Sequence, residues 1–263
     1  MEYVINTSTN KEIFFHASKN GIDGTPNPHH NDSKKKRDFG DGFYLGSKER
    51  QTIALVNSSP DAKLYKYKIP NDLLNSENTL FLTKQDWMYF VLYNRGYLEP
   101  IKHTAFYQYY AHIADNKDYI VGPIADDVFS TCMQNFVKGI ITDYMFMQLI
   151  DCYSYGTQIV AKTQDACDNL VPYSFKNLTA TDRMNALETR KLNRHQQEID
   201  YEERRAKLLL ERKGKYISEL FSDIEKGIIP TPISDFKQEM LKNIKFPETI
   251  KEHDENEEEI IQF

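Results

Sequence analysis

From Tyr3 to about Phe175 short apolar runs alternate with turn residues, whereas from Thr179 onward charged helix formers dominate and glycines become few. Short runs broken by turns are the pattern of a sheet with helices threaded between its strands, and a long charged stretch with one apolar stripe is that of an amphipathic helix. The change near Asn177 therefore predicts an α+β domain over residues 1–177 and a helical extension over 178–263, closing on the acidic run from Glu252 to Glu259. A chain of 263 residues is long enough for one sizeable core with such an appendage.

Within the first part, Glu12 to His16 reads as a strand, followed by a long loop through Gly21, Gly24, Pro26, Pro28, His29, His30 and the basic run Lys34 to Arg37. A second strand is expected from Phe43 to Leu45 and a helix from about Lys48 to Asn57. Leu64 to Ile69 alternates with period two, which puts Tyr65, Tyr67 and Ile69 on one face of a strand. Thr83 with Asp86 three residues on is an N-terminal cap for a helix through Trp87, Phe90 and Val91 that ends before Gly96. Tyr119 to Ile124 reads as a strand, Phe129 to Val137 and Tyr144 to Cys152 as helices, and Gln158 to Ala161 as a late strand. In the extension, Ile199, Ala206, Leu210, Ile217, Leu220, Phe221 and Ile224 form the apolar stripe, interrupted at Gly214 and ended by Gly227 and Pro230. Ser234 is placed to cap a short helix carrying Phe236, Met240, Leu241 and Ile244. The stripe either packs on the first domain or receives a partner.

A net charge of −6 argues against a generally nucleic-acid-coating surface, although a local basic patch still leaves an anionic target open. Cys132, Cys152 and Cys167 lack metal-ligand spacing and are too few for a disulfide framework, so reduced thiols in a cytoplasmic setting are expected. No metal is expected, since His29 and His30 have no third ligand at a suitable spacing. Met1 to Asn10 has no signal-peptide pattern and no stretch approaches a membrane span, which predicts a protein with no membrane association.

Two short segments carry chemistry. Phe14-Phe15-His16-Ala17-Ser18 is an apolar run ending in histidine and a hydroxyl residue, and Phe39-Gly40-Asp41-Gly42-Phe43-Tyr44 is a glycine turn entering a strand. An imidazole at a strand end offers a donor and an acceptor to a ribose, a tyrosine face suits a flat aromatic base, and glycines permit a tight turn and close backbone approach to a ligand. Together these segments resemble the His and Tyr motifs of the diphtheria-toxin-like branch of ADP-ribosyltransferases, which includes the poly(ADP-ribose) polymerases. A longer series, with Arg37-Asp38, Gln51, Ala54, Trp87, Asn94-Arg95 and Gly122-Pro123-Ile124-Ala125-Asp126-Asp127, resembles a little-characterised bacterial family of ADP-ribosyltransferase-like domains.

The resemblance implies split, mostly antiparallel sheets with flanking helices, and NAD as co-substrate. It implies that His16 bonds a ribose of NAD, that the Ala17 backbone holds the nicotinamide carboxamide, that Tyr44 stacks on the nicotinamide ring, and that Ser18, Phe39, Gly40 and Gly42 complete the NAD-binding set. The third motif position, a glutamate before a late strand in that family, is Gln158 here. Glutamine keeps the hydrogen-bonding reach but cannot ionise. The expected activity is therefore single-unit ADP-ribosyl transfer, as in bacterial toxins or effectors, to a protein or nucleic-acid acceptor, with an inhibitory antitoxin partner implied. The alternatives are a catalytically weak NAD-binding module and NAD hydrolysis. Ala17 in place of glycine and Asp41 at a position often basic in relatives depart from the pattern. Asp126 and Asp127 are candidate acceptor-side carboxylates or helix caps, Arg95 is expected to pair with a carboxylate, and Lys34 to Arg37 either attract an anion or form a solvated loop.

Overall fold

The computed structural model of the protein describes residues 11–29, 36–70, 77–125, 127–150, 156–170 and 172–230. Its strands are β1 (Lys11–Ser18), β2 (Phe43–Gly46), β3 (Lys63–Pro70), β4 (Thr79–Phe81), β5 (Tyr119–Pro123), β6 (Thr157–Ala161) and β7 (Pro172–Asn177). The helices are α1 (Glu49–Ala54), α2 (Lys84–Asn94), α3 (Ala105–His112), α4 (Asp127–Val137), α5 (Asp143–Ile150), α6 (Gln164–Asp168), α7 (Ala180–Glu211) and α8 (Ile217–Glu225). The fold is α+β, with the helices beyond residue 177 continuing from the sheet.

The strands form one sheet in the order β4-β5-β6-β2-β1-β3-β7, antiparallel throughout except for the parallel pair β4 and β5. This corrects the expectation of separate sheets: the two halves remain joined, though narrowly. β1 pairs with β3 along its whole length, from Lys11↔Pro70 to Ser18↔Lys63, but meets β2 at the single register pair Phe15↔Gly46.

Strand alternation sorts the core into layers. Tyr65, Tyr67 and Ile69 are buried together with Phe14, Phe43, Ile159 and Cys167, as the period-two pattern requires. On the other face of the sheet, Ile120 and Val160 join Trp87, Phe129, Phe146 and Leu149 from α2, α4 and α5. Trp87 stacks on Phe129 with ring centroids 4.0 Å apart. Thr83 caps α2 by accepting the Asp86 amide, and Gly96 follows the helix at φ +81°, a left-handed position that glycine adopts without a Cβ penalty. A third cluster joins Ile53, Ala54 and Val56, from α1 and just beyond it, to Leu64, Leu178 and Ala186.

The extension packs in cis, but not by the whole expected stripe. On α7 the buried residues are Ala186 and Tyr201, while Ile199 and Leu210 of the stripe are 44% and 83% exposed. Leu220 and Ile224 of α8 are buried in the same cluster as Trp87. The break falls at Gly214, where a Cβ would lie 2.5 Å from both Asp143 Oδ1 and Tyr144 Cβ, so the chain passes against the start of α5 only as glycine. β4, α3, α6, β7 and a 3-10 turn at Glu99–Ile101 are elements the sequence pattern did not reveal. The Ser234 helix, the acidic tail, Asp126, Cys152, His30, Lys34 and Lys35 lie outside the described residues.

Candidate functional site

Where β1 and β2 part, the ring of His16 bridges them. Its Nδ1 lies 2.8 Å from the Tyr44 carbonyl oxygen and its ring stacks on Phe43 at 4.2 Å and 23°. A carbonyl only accepts, so Nδ1 carries a proton and donates. Sequence-distant Gln158 reaches the same place through the sheet: Gly46 pairs with both Phe15 of β1 and Gln158 of β6. Ser47 fixes the end of that row, its amide donating to the Thr157 carbonyl and its hydroxyl accepting from the Thr157 amide. Gln158 is a buried residue, not a surface glutamine, and its Nε2 donates to the Pro123 carbonyl at 3.0 Å.

Tyr44 is held by the turn that precedes it. Its hydroxyl donates to the Gly40 carbonyl at 2.7 Å and accepts from the Phe39 amide at 3.0 Å, and burial pushes its pKa far above the usual phenol range. The Arg37 guanidinium lies 5.6 Å from the Tyr44 ring centroid, in cation–π range. Three further residues brace the turn. Arg95 donates from Nε and Nη2 to Asp38 Oδ1 at 2.8 and 2.5 Å, Asn94 donates to the Asp38 carbonyl, and the Lys162 ammonium donates to the carbonyls of Phe39 and Asp41. Burial raises the Asp38 pKa, with Arg95 opposing it, and burial lowers that of Lys162. The expected Arg95–carboxylate pairing is thus present, and Lys162 is a bracing residue that no local motif marks.

These elements line a cleft of about 1130 Å³. His16, Ala17, Tyr44 and Gln158 all line it, with Asp127, Lys36 and Arg37. Ser18, Phe39, Gly40 and Gly42 are not among the residues that line it. Ser18 donates to the Gly21 carbonyl, Phe39 is buried in the core, and both glycines shape the turn. At Gly42 the backbone closely approaches β6, since a Cβ there would lie 2.3 Å from Val160 Cγ1.

α7 forms the wall facing the sheet, contributing Asp182, Asn185, Ala186, Thr189, Arg190, Asn193 and Gln197. Asp127 opens α4 and is gripped by Arg190, with Nε and Nη2 donating to its two carboxylate oxygens at 3.0 and 2.8 Å. Those bonds hold its pKa below the ordinary aspartate value, so this carboxylate is a structural anchor and a poor base. The lining carries Lys36, Arg37, Lys48, Arg50, Lys176 and Arg190 against Asp38, Glu49, Asp127 and Asp182. Each of those four acids is already in an ion pair: Asp38 with Arg95, Glu49 with Lys66 and Lys176, Asp127 with Arg190, and Asp182 with Lys176. An acidic chain therefore presents a cationic cleft.

Among the described residues no group of three or more His, Cys, Asp or Glu side chains is arranged to hold a metal ion, and no helix is long and apolar enough to cross a membrane. A family model for DUF3990, described as a protein of unknown function, matches residues 13–171. No curated protein and no solved structure matches the chain. The matched stretch includes His16, Tyr44 and Gln158 and stops ahead of α7.

Proposed function

The chain belongs to the DUF3990 family, whose function is unknown, and we propose that it binds NAD in the cleft between β1, β2, β6 and α7 and transfers a single ADP-ribose unit from it. The observation that carries this reading is the convergence of His16, Tyr44 and Gln158 on one cationic cleft from three adjacent strands. Those are the positions at which the sequence resembles the donor site of ADP-ribosyltransferases. The cleft is large enough for a dinucleotide, drug-sized ligands needing roughly 300–1,000 Å³, and its charge suits a pyrophosphate.

In this reading His16 Nε2 accepts a ribose hydroxyl, and the Tyr44 ring, fixed by its two backbone bonds, presents a rigid face to nicotinamide. The bond from C1′ of the ribose to the nicotinamide nitrogen breaks with its electron pair leaving on nicotinamide. A lone pair of the acceptor forms the new bond to C1′, and the acceptor's proton passes to solvent. Positive charge develops on the sugar as the bond opens. Gln158 orients the ribose through its amide without supplying a negative charge, so positioning and nicotinamide binding carry more of the rate.

A second reading, an NAD-binding module with little turnover, is favoured by one observation: the Gln158 amide is buried and committed to the Pro123 carbonyl, where a carboxylate would instead stabilise the sugar cation. Incubating the protein with NAD and measuring nicotinamide separates the two. Transfer predicts release that is lost in His16→Ala and Tyr44→Ala, with label from NAD appearing on one fraction of a cell extract. Binding without release in any extract supports the module, and release without labelled acceptor supports hydrolysis.

A further inference from the structure

The cleft wall made by α7 lies beyond the stretch matched by the family, and its lining side differs chemically from the rest of the helix. α7 is rich in Lys, Arg and Glu, yet Asn185, Thr189, Asn193 and Gln197 recur along the lining at steps of four. Residues four apart share a helix face, so this neutral row extends about 18 Å at ~1.5 Å per residue. The Thr189 hydroxyl is turned back onto the Asn185 backbone carbonyl, whereas the carboxamides of Asn185 and Asn193 have no hydrogen-bond partner among the described residues.

The cations gather on the other walls, at Lys36 and Arg37 of the turn and Lys48 and Arg50 at the start of α1, with Arg190 drawn to Asp127. α1 packs directly on α7, and Leu55 at the C-terminal end of α1 lines the same cleft while 66% exposed. A cleft lined by both an apolar side chain and neutral carboxamides offers the combination that receives a nucleobase: the leucine can give contact to the flat face, and a carboxamide pairs its donor and acceptor with N7 and the exocyclic amine of adenine.

Resting on the reading of the cleft as an NAD site, we propose that the Asn185–Asn193 face of α7, together with Leu55 of the same cleft, holds the adenosine half of the dinucleotide and selects adenine over other bases. The donor end then belongs to the family-matched part of the chain and base selection to the helix that follows it.

Titration calorimetry on the full chain tests this with two probes: ADP-ribose, which keeps the adenosine and lacks nicotinamide, and nicotinamide mononucleotide, which does the reverse. In Asn185→Ala/Asn193→Ala the affinity for ADP-ribose should fall about tenfold or more, with that for nicotinamide mononucleotide unchanged. The variant should also lose the wild-type preference for ADP-ribose over its hypoxanthine analogue. Leu192→Ala, on an exposed side of α7 away from the lining, should leave all three affinities alone. Unchanged ADP-ribose binding in the double variant, or equal losses for both probes, would overturn the assignment while leaving the donor-site reading standing. If the wild type binds neither probe and releases no nicotinamide from NAD, the donor-site reading itself falls and this assignment with it.

Discussion

Gly42 shows how tightly the turn before Tyr44 is packed on the sheet. At φ +153°, with a Cβ destined for 2.3 Å from Val160 Cγ1 and 2.9 Å from the Ala161 carbonyl oxygen, it has neither the backbone freedom nor the space for alanine. Gly42→Ala should cost about 2 kcal/mol or more through overpacking. Gly139→Ala, at φ +68° with open space around it, should cost only about 1 kcal/mol from the left-handed backbone. Urea unfolding of the two variants measures the difference, and equal losses would mean that β6 gives way. Lys162→Met removes the ammonium bonded to the Phe39 and Asp41 carbonyls. It should lower nicotinamide release while leaving the circular dichroism spectrum unchanged, because it frees the turn that aims Tyr44 without emptying the core. His16, Tyr44 and Gln158 were legible in the sequence because each sits in a short pattern around a strand. Lys162 and Asn94 were not marked for their part in the turn, since a bond to a backbone carbonyl made across a long loop leaves no period or spacing to read.

Among the elements, those with strong local signals emerged where expected: β3 from its alternation, α2 from its cap, and the break in the extension from Gly214. β7 escaped because it is an edge strand exposed along its whole length, with Tyr173 and Phe175 turned outward, so burial imposes no alternation on it. β4 is three residues long, too short for any period. The face of α7 was misread for a related reason. The helix meets the core through a small Ala186, a partly buried Leu208 and a Tyr201 whose hydroxyl accepts from the Asn135 amide, while Leu192, Ile199 and Leu210 stay exposed. The Asp127–Arg190 pair holds α7 to α4, and its pH dependence has a definite sign. Because the folded-state pKa of Asp127 is depressed, its contribution is present above about pH 4 and fades as the pH falls through that lowered value. Both partners are partly exposed, which limits the pair to about 0.5–1 kcal/mol. Asp127→Asn should lose that amount at pH 6 relative to the wild type, and the gap should narrow as the pH falls below about 4. A gap that does not narrow at acid pH would assign the effect to something other than charge.

At the scale of the whole molecule, the helices beyond residue 177 share the cores built by the residues before it. Ala186 completes the cluster under α1, and Tyr201, Leu220 and Ile224 complete the one around Trp87. A chain ending at residue 177 should therefore melt well below the full-length protein and bind hydrophobic dye, as thermal denaturation with a fluorescent probe would record. An unchanged melting temperature would mean the first part is self-sufficient. The narrow seam between β1 and β2 has a mechanical side as well. A sheet transmits stress through its ladder of hydrogen bonds, and here that ladder thins to one register pair between two well-laddered halves. α7 touches both sides of the thin place: Arg183 donates to the Pro60 carbonyl on one flank, and Arg190 holds Asp127 on the other. The gap between the halves is thus gauged by the first three turns of α7 rather than by the sheet itself. Its width is a compliance that substitutions at Arg183 or Arg190 can tune without touching a single lining residue on the strands.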